Sequence, residues 1–98
     1  KKSLCVVLCS KGYPETFKKN VEIKKLNEIQ TNKDNYIFHA GTKDENGNIF
    51  AIGGRVLNFV CISDDFSSAR KNIINSLELL NWSGGFYRKD IGHRVIKL

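Results

Sequence analysis

Three glycine-bearing segments carry the residues whose types and spacing suit chemistry, and that chemistry is anion binding. In Gly53-Gly-Arg55 the paired glycines can turn consecutive N–H groups the same way, forming a shallow anion nest. Arg55 would then close on a phosphate with two parallel hydrogen bonds. The competing reading is a β-bulge, where glycine permits a kink in a strand. In His39-Ala-Gly-Thr42 the glycine allows close backbone approach, and Thr42 and the adjacent amides can donate to an anion. The plainer reading there is a strand ending in a hairpin with a satisfied histidine. The third segment, Phe86 to Arg94, places Arg88, Lys89, His93 and Arg94 close together, broken by Asp90 and Gly92. A solvated tail accounts for most such runs, but Phe86, Tyr87 and Ile91 interleave the charges and would dock it.

Bond-making by these residues unaided is not expected. His39 and His93 lack a nucleophile's context, and no His-Glu metal spacing occurs. The Lys-Ser/Thr ending and longer glycine spacing of a phosphate loop are also missing. The three cysteines, Cys5, Cys9 and Cys61, form no secreted disulfide framework, so a reducing compartment is expected, most simply the cytoplasm. Cys5 and Cys9 share a strand face but lie roughly 13 Å apart, too far for one metal ion. Both are expected to be small buried hydrophobes.

The net charge of +6 is spread evenly along the 98 residues and reads as solubility. Its arginines are the better lead, because all four (Arg55, Arg70, Arg88, Arg94) lie in the second half. With 41% apolar and 27% charged residues the chain is an ordinary globular domain, neither disordered nor a rod. The apolar run Leu4 to Cys9 is far too short to span a membrane. The chain contains no methionine and opens Lys1-Lys2-Ser3, so the expectation is a piece of something longer.

The elements that must position these segments follow from periodicity. Ser3–Ser10 and Arg55–Ile62 are apolar on both faces, Asn58 excepted, and read as central strands. Lys11 to Pro14 is a turn, and residues 15–35 suit either one short strand or one helical turn. Tyr36–Ala40 is a strand, and Asp44-Glu-Asn-Gly-Asn48 is a hairpin signal with Ile49–Gly53 returning. Ser63-Asp64 caps a helix from about Asp65 to Leu80 with an apolar stripe of Phe66, Ala69, Ile73, Leu77 and Leu80. Trp82-Ser-Gly-Gly85 ends it, and Phe86-Tyr87 is a last short strand. Periodicity commits Phe38, Phe59 and Phe66 to the core. The fold class is α+β: one small, mostly antiparallel sheet with one main helix packed on it.

In order and spacing, Phe38-His-Ala-Gly-Thr42, Gly53-Gly-Arg-Val-Leu57 and Phe86-Tyr-Arg-Lys-Asp-Ile-Gly92 resemble the C-terminal domain of phosphoribosylamine–glycine ligase. Cys5-Val-Val-Leu-Cys-Ser-Lys-Gly-Tyr-Pro14 resembles that domain's start, and the likeness covers nearly all 98 residues. Lys19-Asn20 departs from the Lys-Gly that many members carry.

The resemblance implies an ATP-grasp ligase of purine biosynthesis that joins glycine to 5-phosphoribosylamine with ATP and Mg²⁺. It implies that residues 1–98 are a single C-terminal domain, inactive alone, packed against N-terminal and ATP-grasp domains that hold the nucleotide and metal. Carried over residue by residue, Arg55 is the position for substrate phosphate, with Gly53 and Gly54 shaping the approach. Arg88, Lys89 and Asp90 come second as substrate contacts, and His39 and Thr42 third. No catalytic or metal-binding residue is expected here, and no nucleic-acid or membrane partner. The readings that compete with it are a stand-alone basic anion- or nucleic-acid-binding module and a structural interaction domain.

Overall fold

The computed structural model describes residues 1–88. In chain order its elements are β1 (Lys2–Ser10), β2 (Val21–Glu22), a 3-10 turn (Leu26–Glu28), β3 (Asn35–His39), β4 (Thr42–Glu45), β5 (Asn48–Ala51), β6 (Arg55–Ser63), helix α1 (Phe66–Leu80) and β7 (Gly85–Phe86). The two apolar runs are the two longest strands and pair antiparallel along their length, from Lys2↔Ser63 to Cys9↔Arg55. β3 and β7 flank them, giving a sheet in the order β3-β6-β1-β7.

The α+β expectation is met, with one difference: the hairpin does not extend the main sheet. It forms a second, three-stranded sheet in the order β2-β5-β4. The reason is a backbone crossing. Gly41 donates to the Arg55 carbonyl (3.0 Å) and accepts from Ile52 (2.8 Å) and Gly53 (3.2 Å). The chain therefore leaves one sheet for the other at both points. The hairpin itself turns on Asn46 and Gly47, with φ of 55° and 87°, as a tight two-residue turn demands.

Residues 15–35 hold both alternatives, the two-residue β2 and one 3-10 turn. Asn20 takes φ 60°, a left-handed position that asparagine tolerates better than most non-glycine residues. The loop thus keeps a glycine-like bend at the departure from Lys-Gly. The second sheet is fastened to the end of α1 by the Trp82 indole, whose Nε1 donates to the Glu22 carbonyl at 2.9 Å.

One face of the main sheet meets α1. Leu4, Val6 and Leu8 of β1 and Leu57, Phe59 and Cys61 of β6 point to Ala69, Ile73, Leu77 and Leu80, all buried. The helix begins slightly later than the sequence indicates. Asp65 is the N-cap, its carboxylate accepting from the Ser68 N–H at 2.7 Å. Asn81 ends the helix in a left-handed conformation, one residue before the expected stop. Replacing Asp65 by Ala should cost about 1 kcal/mol, which is roughly 4–8 °C in a thermal melt of a domain this size.

Three side chains expected inside are not. Cys5 is exposed, Cys9 is half-buried, and Phe38 keeps 57% of its surface. All three lie on the sheet face opposite α1, which no described element covers. Phe59 is buried as expected, while Phe66 is only half-buried, with the Lys2 ammonium 5.7 Å from its ring centre.

Candidate functional site

Arg55 opens β6, and the local register decides where it points. Leu8 pairs with Leu57 but Cys9 pairs with Arg55, so Val56 is an extra residue on β6. A β-bulge is therefore present, but at Val56 inside the strand and not at Gly53-Gly54, which precede it. It turns Val56 inward, where it is fully buried beside Leu57. It also places Arg55 and Asn58, three residues apart, on the same outer face, where regular alternation would separate them. Re-aiming a side chain in this way is a recurrent use of bulges.

The anion-nest geometry is not formed. Gly53 and Gly54 are not among the positive-φ glycines, and the Gly53 N–H donates to Gly41. Their carbonyls are also engaged: the Ser10 hydroxyl donates to Gly53 and the Ser10 N–H to Gly54, both at 2.7 Å. What the glycines supply is room. A Cβ on Gly53 would sit 3.1 Å from the Gly41 Cα, and one on Gly54 would fall 1.9 Å from the Tyr13 ring.

Around this junction lies an open concavity of about 560 Å³ lined by Tyr13, Ala40, Gly41, Gly54, Arg55 and Asn58. The exposed Arg55 guanidinium makes no side-chain hydrogen bond or ion pair among the described residues. Its charge is felt by Cys9: partial burial pushes that thiol above its ordinary range, and Arg55 pulls it part of the way back. A guanidinium that lines a concavity with no partner among the described residues is suited to a phosphate or carboxylate.

Of the other sequence candidates, Gly54 lines this concavity and Gly53 lies behind it. His39 and Thr42 bracket Ala40-Gly41 but bond to each other, His39 Nδ1 to Thr42 Oγ1 at 2.8 Å. His39 instead borders a separate hollow of about 400 Å³ with Lys24, Lys25 and Asn48. The satisfied-histidine reading therefore describes that segment. Arg88 is exposed two residues beyond Phe86, which pairs with Cys9. Lys89 and Asp90 lie outside the described residues. Sequence reasoning missed Tyr13 and Asn58. Asn58 had a signal, as the one polar break in an apolar strand, whereas Tyr13 reads only as part of a turn.

Among the described residues no three His, Cys, Asp or Glu side chains gather in a way that could hold a metal ion. No helix there is long and apolar enough to cross a membrane.

The family described as "Phosphoribosylglycinamide synthetase, C domain" matches residues 3–94. The phosphoribosylamine–glycine ligase of Caldanaerobacter subterraneus subsp. tengcongensis is 41% identical over 91 residues, covering 93% of this chain and 21% of the relative. The chloroplastic phosphoribosylamine–glycine ligase of Arabidopsis thaliana is 39% identical over 97 residues, covering 97% of this chain and 18% of the relative. A crystal structure of phosphoribosylamine–glycine ligase from Thermotoga maritima superposes with a TM-score of 0.72 at 30% identity, over 91% of this chain and 21% of that one. The chain thus spans about one fifth of the length of the relatives it matches. On the match of nearly its whole length, in sequence and in fold, this chain belongs to the phosphoribosylglycinamide synthetase C-domain family.

Proposed function

We propose that the chain serves as the C-terminal domain of a phosphoribosylamine–glycine ligase, which joins glycine to 5-phosphoribosylamine with ATP in purine biosynthesis. In this reading Arg55 holds the ribose phosphate, and Gly54 keeps the approach open beneath it. The observation that carries the assignment is the Arg55 guanidinium lining the concavity with no side-chain partner among the described residues, on the face where the bulge at Val56 places it. The bulge and the Ser10 hydrogen bonds pre-organise the backbone, so little order has to be imposed when the anion arrives.

ATP and Mg²⁺ belong to the ATP-grasp portion of such a ligase. Mg²⁺ needs carboxylate and phosphate oxygens in near-octahedral array. The described residues offer no such donor set, so no step through the metal is assigned to them. The free thiols of Cys5, Cys9 and Cys61 support a reducing compartment, most simply the cytoplasm.

The test is Arg55→Ala in the intact ligase. Loss of a charge-assisted contact should raise KM for phosphoribosylamine about 10- to 100-fold while KM for ATP stays within twofold. Arg55→Lys should recover part of the loss, because it keeps the charge but not the two-pronged geometry. A change in ATP use with phosphoribosylamine use unaltered would overturn the assignment.

A further inference from the structure

Tyr13 stands in the turn after β1, yet it lines the Arg55 concavity at the start of β6. Ser10 joins the two places. Its hydroxyl donates to the Gly53 carbonyl and its N–H to the Gly54 carbonyl, both at 2.7 Å, while its own carbonyl accepts from the Tyr13 N–H at 3.1 Å. Ser10 is buried, so water competes little for these bonds. The ring is held as firmly as the backbone. It occupies the space that a Cβ on Gly54 would take, and Phe17 meets it edge to face with ring centres 6.2 Å apart. The Tyr13 hydroxyl makes no hydrogen bond among the described residues. The ring does the packing, and the oxygen is left without a structural task.

We propose that Tyr13 is a second contact to the sugar phosphate, its hydroxyl donating to the phosphate oxygen that the Arg55 fork leaves open. The inference rests on reading Arg55 as the phosphate-binding residue. A phosphate monoester has three terminal oxygens, and a guanidinium in its two-pronged geometry takes two. The third calls for one further donor. Tyr13 supplies it as a neutral group, which adds no repulsion to the Arg55 charge. The chain geometry favours the phosphate over the sugar. The Tyr13 ring rests on Gly54, the residue next to Arg55, whereas Asn58, the other polar side chain lining the concavity, lies three residues farther along β6. Because Ser10 ties the Tyr13 turn to Gly53 and Gly54, the two contacts start from one braced stretch of backbone, and little of its freedom is lost on binding.

Tyr13→Phe in the intact ligase tests this, because it removes the oxygen and keeps the ring between Gly54 and Phe17. KM for phosphoribosylamine should rise about tenfold, the loss expected of one hydrogen bond to a charged acceptor, while KM for ATP and the urea midpoint stay at their wild-type values. In an Arg55→Ala background the same change should raise KM less than about threefold, because two contacts to one phosphate are coupled. An unaltered KM for phosphoribosylamine overturns the proposal. So does an equal rise with and without Arg55, which would put the hydroxyl on another part of the substrate. A lowered urea midpoint also overturns it, since the oxygen would then be structural. The two assignments fail separately. If Arg55→Ala raises KM and Tyr13→Phe does not, only this inference falls. If Arg55→Ala leaves KM for phosphoribosylamine unchanged, the phosphate reading itself falls.

Discussion

Alanine in place of Gly41 is expected to destabilise the domain by about 3 kcal/mol or more, a large share of the 5–15 kcal/mol typical of small domains. The added Cβ would lie 2.7 Å from both the Arg55 carbonyl oxygen and the Gly53 Cα, and 2.9 Å from the Gly53 nitrogen. All three are backbone atoms, so no side-chain rotation relieves the contact. The two chain segments must separate. Doing so weakens the hydrogen bonds from Gly41 to Arg55 and from Gly53 to Gly41, each worth about 1 kcal/mol. Overpacking adds about 1–3 kcal/mol. The comparison is Gly47→Ala, where nothing lies within 4 Å and only the positive φ is unfavourable. That change should cost about 1–2 kcal/mol. Urea denaturation of the two variants checks the difference, and equal midpoints would mean that the crossing at Gly41 is not close-packed. Because Arg55 supplies one of the crowded atoms, Gly41→Ala should also disturb the phosphate contact in any variant that still folds.

Leu57→Ala should be as severe, at about 3–5 kcal/mol, by a different mechanism. Leu57 is fully buried, opposite Leu8 on the helix-facing side of β6. Its removal takes away apolar contacts and leaves a cavity that the flanking strands cannot fill, since the bulge at Val56 and the Ser10 hydrogen bonds hold them in place. Leu79→Ala is the counterpart. That side chain is 50% exposed on the outer side of α1, and its truncation should fall within about 0.5–1 kcal/mol. A thermal melt that ranks the two equally would contradict the assignment of the core to the space between α1 and the sheet.

How much of this was legible beforehand differs from element to element. The stripe on α1 and the Asn46-Gly47 turn depend on residues within a few positions of one another, so local chemistry reveals them. The segment from Glu15 to Asn35 does not work this way. β2 is two residues long and exists because Val21 and Glu22 pair with Ala51 and Phe50, nearly thirty positions away. Arg55 stood out by residue type and by the family resemblance. Its neighbours did not. Tyr13 reaches it only because Gly54 lacks a Cβ, and Asn58 shares its face only because of the single extra residue at Val56.

The sequence by itself determined the family, the α+β class, the helix and the candidate cation, because each is written in short-range pattern or in ordered motifs. Only the tertiary structure decided that Gly53-Gly54 is a packing junction and not an anion nest, and that Cys5 and Phe38 face outward. Periodicity specifies which residues share a face of a strand. Whether that face is covered depends on what else the chain brings against it, and α1 is long enough to cover one side of the sheet.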